Sequence, residues 1–498
     1  MSEAIPGLAA APLAPARDAS VVLLWRQGTA GREIFWLRRG ARLAFGGGMY
    51  AYPGGKLDPA DAGVPVEGAT GQDAALRACA ARELFEETGV LLGARAGATE
   101  LATQRRRLLD GEVGFDEVLR ACGARLRAAD LAAAGRWLTP PFLPVRFDAR
   151  LFLAELPPGQ SASVDAAEAS EGGFVAPAEA LARWREGRAL LHPPTLHALR
   201  CLQEPAIEDA LRRLRDPPFM DGLVARRIEF QQGVVLVPLR TPTLPPATHT
   251  NCWLVGLEEL VVIDPGADDP EELAALYRMV RELHAEGRRA VAILLTHHHR
   301  DHSGGAAAAA RELGLPLWAH RLTAEKLEVP CARLLEDREP LGLAGFPLRA
   351  VHCPGHTRGH LAFLYEPSRA VFAGDLVSSL STIVIDPPEG DMAVYLASLQ
   401  RLLDLSPGTL FPAHGPPIPD GPGKLREYLE HRAMRAALVL AAVQAGAATP
   451  AEVVAQAYSD TPEPLHPIAE RQALAHLLQL AAEGKASERD GRWHARLP

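Results

Sequence analysis

Seven residues, Thr296-His297-His298-His299-Arg300-Asp301-His302, constrain this chain more than any other stretch. They follow the apolar β-type run 291–295 and precede Ser303-Gly304-Gly305 and an Ala-rich helical pattern over 306–313. A strand therefore ends where a loop gathers imidazoles and a carboxylate, and a helix begins just beyond. Neutral imidazole with carboxylate suits zinc and its neighbours among divalent metals. His297 and His299 alternate along extended backbone, so they point to one side while His298 points away. Asp301 and His302 come after the chain has begun to turn and are placed to face a second ion. One short segment thus supplies ligands to two metals.

A length of 498 residues exceeds what one core organises and predicts two or three domains. Hydrophobic content of 48% and charged content of 23% are those of a globular chain, which excludes a disordered or fibrous class. The formal charge of −9 gives no general electrostatic footprint for nucleic acid, although it leaves room for a local basic patch. Six cysteines without a C-x-x-C pair fit a reducing compartment, and the cytoplasm is the expected location. Residues 1–16 are Ala/Pro-rich with no basic start, so no signal peptide is expected. The longest apolar stretch, 436–448, is interrupted by Gln444 and Gly446 and is too short to span a bilayer, so no membrane association is expected.

In the first half, strands are predicted at 20–25, 33–37 and 49–52, the last flanked by Gly46-Gly47-Gly48 and Pro53-Gly54-Gly55. A polar insertion, 56–73, precedes a helix over 74–88 that stops at Gly89. Glu83, Glu86 and Glu87 are spaced i, i+3, i+4 and share one face of that helix. Without a cation they would repel one another, so the cluster makes sense as a site for hard divalent ions such as Mg²⁺. Arg82 is placed to orient one of them. A solvated acidic face is the plain reading of a single Glu pair; the third carboxylate and the preceding Gly-Gly turn set this one apart.

The run Arg82-Glu83-x-x-Glu86-Glu87-x-Gly89 after a Gly-Gly turn resembles the Nudix box, and the resemblance extends over residues 18–202. It implies an α/β/α sandwich that hydrolyses a nucleoside diphosphate linked to another moiety, using Mg²⁺ or Mn²⁺ and an attacking water. Glu83, Glu86 and Glu87 would then be metal ligands in catalysis, Gly54 would lie at a backbone-carbonyl ligand position, and Glu168 would be a further catalytic acid. The flanks Phe147-Asp148-x-Arg150 and Leu191-His192-Pro193-Pro194-Thr195 look like the branch that includes coenzyme A diphosphatases. One departure stands out: Ala74 occupies the register of the usual helix-opening Glu, and 56–73 stretches the box. The alternative is a degenerate Nudix domain that binds a nucleotide or coenzyme A derivative.

In the second half, strands at 233–239, 251–256 and 260–264 lead to a helix over 270–286, the strand 290–295, the histidine loop and a helix over 304–313. Further strands are predicted at 316–319, 348–352 and 370–373. Later loops each offer one donor: His356 as a third imidazole for the first metal, Asp375 as a carboxylate able to bridge two cations, and His414 for the second. Their order resembles the metallo-β-lactamase fold, an αββα sandwich. The resemblance implies His297, His299 and His356 on one zinc, Asp301, His302 and His414 on the other, and Asp375 between them. Two such cations bring the pKa of a shared water toward ~7, and Asp301 would also orient the resulting hydroxide. His298 and His360 are left outside the ligand set, His360 as a supporting or packing residue.

The flanks Thr250–Gly256, Gly390-Asp391-Met392 and His431-Arg432 with Arg435 look like a subgroup of β-lactamase-like hydrolases that includes a single-strand endoribonuclease with a winged-helix tail. A helix capped by Thr449, a second helix over 469–483 and a hairpin ending at Trp493 match that tail. The expected domains are a disordered tail (1–17), a Nudix-like domain (18–202), a linker (203–222), the metallo-β-lactamase fold (223–430) and a winged-helix-like end (431–498). The expected activity is hydrolysis of a phosphodiester or (thio)ester by the second half and of a diphosphate by the first. The alternative is a glyoxalase II-like thioesterase with a degenerate Nudix module. Expected partners are a nucleotide, a coenzyme A derivative or thioester, or single-stranded RNA.

Overall fold

A computed structural model describes residues 14–40, 46–164 and 169–496. The expected tail up to residue 13 and Glu168 lie outside the described residues. The chain forms two compact units, Pro12–Val235 and Leu236–Pro498.

The first unit is built on strands whose residues alternate between two cores, as a pleated sheet buried on both faces requires. Arg17–Gly28 lies at its centre, antiparallel to Gly31–Arg39 and parallel to Phe147–Glu155. Val22, Leu24, Phe35 and Phe152 join one core, with helices Gly71–Thr88, Ala98–Leu109 and Phe115–Ala121. Leu23, Ile34, Trp36 and Leu151 join the other, with helices Pro177–Arg185, Pro193–Cys201 and Ile207–Leu214. The result is the α/β/α sandwich expected for this half. The helix Gly71–Thr88 starts three residues before the expected position and ends at Gly89, whose φ of 74° is a left-handed conformation open to glycine. The insertion ahead of it is structured: Pro59–Gly63 forms a 3₁₀ turn closed by reciprocal Asp58 and Asp61 caps, and Asp61 is buried.

In the second unit, strands His249–Gly256, Glu259–Ile263, Arg289–Leu294, Leu317–His320 and Arg333–Leu335 lie side by side in that order. A second sheet holds Leu348–His352, Leu361–Tyr365, Ala370–Gly374 and Leu410–Pro412. Trp253 of the first sheet packs edge-on against Phe372 and Phe411 of the second, at 6.1 and 5.1 Å between ring centroids. Its indole N–H donates to the Pro412 carbonyl at 3.3 Å. Helices Pro270–Ala285 and Met392–Asp404 complete the sandwich.

Beyond it runs the long helix Gly421–Gln444, then Pro450–Ala457, His466–Ala482 and the hairpin Ala486–Arg489 with Arg492–Ala495. Thr449 and Glu452 close a capping box at the start of Pro450–Ala457. Ala473 and Leu477 of the following helix and Trp493 of the hairpin share one buried cluster with Val453 and Val454. No helix among the described residues is long and apolar enough to cross a membrane.

Candidate metal centre

The strand Arg289–Leu294 ends just before Thr296, and the seven-residue motif then runs into the single turn Arg300–Ser303. Three donor groups converge there, each with its ligand atoms within 4.8 Å of one another. They are His297, His299 and His356; His297, His302 and Asp375; and Asp301, His302 and His414. All seven residues expected as ligands in this half are therefore brought together. His298 belongs to none of these groups.

The hydrogen bonds fix which ring nitrogen of each imidazole faces inward. His302 Nδ1 donates to Asp264 at 2.8 Å, His356 Nδ1 to the Val384 carbonyl at 2.9 Å and His414 Nδ1 to the His249 carbonyl at 3.0 Å. Thr296 Oγ1 donates to Asp264 at 2.6 Å and so accepts from His297 Nδ1 at 3.0 Å. Each of these four rings therefore directs a protonated Nδ1 outward and turns its Nε2 toward the centre. His299 presents Nδ1 instead, 3.0 Å from His297 Nε2 and 3.1 Å from His356 Nε2.

Asp375 lies between the two sides: Oδ2 is 3.7 Å from His356 Nε2, while Oδ1 is 3.5 Å from His302 Nε2 and 3.4 Å from His414 Nε2. Asp301 Oδ2 is 3.5 Å from His414 Nε2. His360 Nε2 accepts the Asp375 backbone N–H at 3.1 Å, which makes His360 a support for the carboxylate. Gly374 sits at φ 51°, and a Cβ there would meet that same nitrogen at 2.7 Å, so glycine is needed immediately before Asp375.

These donors fit a pair of cations. Lone pairs face one another across a buried space, and both His302 Nε2 and Asp375 Oδ1 are buried with no hydrogen-bond partner among the described residues. Burial, reinforced by neighbouring imidazoles, holds His297 and His299 far below the usual histidine range, in the neutral form a metal requires. Burial works against charge at Asp375 as well, yet His414 and His302 hold its carboxyl well below the usual range. His302 and His414 are raised despite burial by the Asp375 and Asp301 carboxylates, an attraction for positive charge that a cation also answers.

In the first unit, Glu83, Glu86 and Glu87 share one face of the helix Gly71–Thr88 as expected, but a cation side chain sits among them. Arg82 donates to Glu83 at 2.8 Å and Glu86 at 3.0 Å, and grips buried Asp61 through two bonds of 2.8 and 3.0 Å. Glu87 accepts the Gly54 backbone N–H at 3.0 Å, and a Cβ on Gly55 would meet the Glu83 carboxylate at 2.5 Å. Among the described residues these three carboxylates do not close into a three-donor group as the imidazoles do.

Residues 245–414 match the family model of the metallo-beta-lactamase superfamily, and residues 449–493 match that of the beta-lactamase associated winged helix domain. The lactamase-like protein adaB of Aspergillus niger is 31% identical over 272 residues, 49% of this chain and 80% of that protein. The chain belongs to the metallo-beta-lactamase superfamily. An atrochrysone carboxyl ACP thioesterase, AgnL7 of Paecilomyces divaricatus, is 35% identical over 103 residues, 21% of this chain and 32% of that protein. The crystal structure of a NUDIX hydrolase from Alicyclobacillus acidocaldarius is 29% identical and spans 41% of this chain and 99% of its own, with a TM-score of 0.36.

Two supporting residues, Asp264 behind the histidine loop and Asp61 in the first unit, carry little signal in the sequence. Asp264 ends an apolar strand at Asp264-Pro265-Gly266, a pattern that reads as an ordinary turn. In the structure it is buried, accepts the Thr296 N–H and hydroxyl, and orients His302. Asp61 lies within what reads as a polar insertion; its only signal is the Asp58-x-x-Asp61 spacing of a cap.

Proposed function

We propose that the second unit is a binuclear zinc hydrolase acting on a thioester. The observation that carries this reading is that His302 Nε2 and Asp375 Oδ1 are buried at the meeting point of three donor groups with no hydrogen-bond partner among the described residues. His297, His299 and His356 would hold one ion and Asp301, His302 and His414 the other, with Asp375 shared. When bound, the ions supply a Lewis acid for the scissile carbonyl and a water acidic enough to attack at neutral pH. Asp301, whose Oδ2 lies 3.5 Å from His414 Nε2, would help hold the second ion and orient that water. Asp264, Val384 and His249 keep the ring protons on the outward nitrogens, so the inward ones stay available.

A thioester is favoured over a phosphodiester because a relative carries an ACP thioesterase name. The partner is then a small acyl carrier, either coenzyme A-linked or glutathione-linked. The formal charge of −9 offers nothing general to hold RNA. Side-by-side assays of acyl-coenzyme A, lactoylglutathione and single-stranded RNA test this. Turnover of RNA with both thioesters untouched would replace the thioester reading by the endoribonuclease one. Six unpaired cysteines support a reducing compartment such as the cytoplasm.

For the first unit we propose Mg²⁺- or Mn²⁺-dependent hydrolysis of a diphosphate, with Glu83, Glu86 and Glu87 as the metal-facing carboxylates. The oxygen-only donor set on one helix face supports a hard cation. Asp61 supports the reading further, because it gives Arg82 a buried carboxylate partner although Ala74 occupies the helix-opening position. Replacing Glu86 and Glu87 by Gln should abolish diphosphate turnover. A parent protein that binds nucleotide or coenzyme A without turning it over would instead make this unit a binding module.

A further inference from the structure

Between the second sheet and the helix Met392–Asp404 the chain runs through 381–387 outside any strand or helix. Backbone carbonyls in such a stretch need partners when buried, and here side chains supply them for five residues. The carbonyls of Ser381, Ile383, Ile385 and Pro387 each accept from a different side chain of the last two long helices. Tyr428 Oη donates to Ser381 at 2.6 Å, Arg432 to Ile383, Gln472 Nε2 to Ile385 at 3.3 Å and Arg471 Nη2 to Pro387 at 2.7 Å. Arg432 and Gln472 are tied to each other at 2.9 Å. The intervening Val384 carbonyl accepts the His356 Nδ1 proton at 2.9 Å.

We propose that Arg432, through the segment 381–387, is a positioning residue for the metal ligand His356, so that the C-terminal helices are a working part of the metal centre. This rests on the reading of His356 as a ligand. The Val384 carbonyl decides which nitrogen of His356 holds the proton, and with it whether Nε2 is free to face His299 Nδ1 at 3.1 Å. Arg432 is 2% exposed and lies over the Tyr395 ring at 5.5 Å, so its guanidinium has no room to wander. Its Nε has no hydrogen-bond partner among the described residues, a cost accepted where the two Nη groups are committed to Ile383 and Gln472.

The same helix offers a control. Arg435 is 7% exposed, but its partners are the Ala457 carbonyl at 2.6 Å and Asp460 at 2.8 Å, both within the tail. The experiment is chelator competition for Co²⁺ or Zn²⁺ on the full chain, with the Co²⁺ absorption spectrum and the thermal midpoint recorded together. Arg432→Met should bind one of its two ions about tenfold more weakly and shift the Co²⁺ bands. Arg432→Lys should recover part of both. Arg435→Met should melt earlier with metal affinity and spectrum unchanged. Should Arg432→Met fail to fold, Gln472→Leu removes the bond to Ile385 and takes the same test. Wild type that binds two ions while Arg432→Met or Gln472→Leu binds them equally well, with the same spectrum, overturns the inference alone. Wild type that binds none overturns the metal centre itself.

Discussion

Nδ1 of His302 lies 2.8 Å from Oδ2 of Asp264, and both side chains are buried, at 0% and 2% exposure. Asp264 also accepts the Thr296 N–H at 2.8 Å and hydroxyl at 2.6 Å, so one carboxylate steers two neighbouring imidazoles. Asp264→Asn keeps the shape but replaces an acceptor by an amide donor, leaving two donors facing each other. Metal affinity should fall about 10- to 100-fold, with far-UV dichroism unchanged. Chelator competition measures the loss.

Asp375 is the residue both sides of the site share, with one oxygen toward His356 and the other toward His302 and His414. Asp375→Ala should therefore cost more activity than the roughly 100-fold ceiling for an outer partner such as Asp264. It should also leave less than the full metal complement. His298→Ala, by contrast, should retain the complement, since His298 belongs to no donor group. Metal analysis and steady-state kinetics on both variants check this.

A pH dependence follows from His476, buried in the tail and pushed down to about 4 by burial and then by Arg432. Above the ordinary histidine value the folded and unfolded forms are both neutral, and the group contributes nothing to pH dependence. As pH falls from about 6.5 toward 4, the unfolded chain takes up a proton that the folded chain refuses, so stability drops with acidification. The full loss is roughly 3 kcal/mol, reached below the folded value. Urea unfolding at pH 7 and pH 5 should show the drop in wild type and a smaller one in His476→Leu.

In the first unit, Asp61→Ala leaves Arg82 with Glu83, Glu86 and the weakly accepting Cys79 sulfur as side-chain acceptors and empties a buried carboxylate position. Breaking such a pair should cost about 3 kcal/mol of stability. It should also impair Mg²⁺-dependent diphosphate hydrolysis, because Arg82 is no longer anchored on the side away from the glutamates. Thermal melting and a diphosphate assay across a Mg²⁺ titration check the two effects separately.

The clustering of imidazoles and carboxylates was legible in the sequence because these residue types stand at the ends of apolar strands. His297, Asp375 and His414 each stand just past such an end, where the chain leaves its strand and turns them into one buried space. The partners that orient these ligands were much harder to find. Val384 and His249 act through backbone carbonyls, which every residue possesses, so no side-chain pattern marks them. Asp264 and Asp61 look like turn and cap residues and acquire their roles only when Thr296 and Arg82 arrive from 32 and 21 residues away. The sandwich of the first unit was expected through the resemblance of the Arg82–Gly89 run to the Nudix box, whereas the helix start at Gly71 lies inside what reads as a polar insertion and has no side-chain cap at Thr70 to mark it.

The most direct test is metal content of the purified full chain, alongside a His302→Ala, Asp375→Ala double variant. Wild type should hold two transition-metal ions per chain that the double variant does not retain. No transition metal in wild type after incubation with zinc, or the same content in the double variant, would contradict the account.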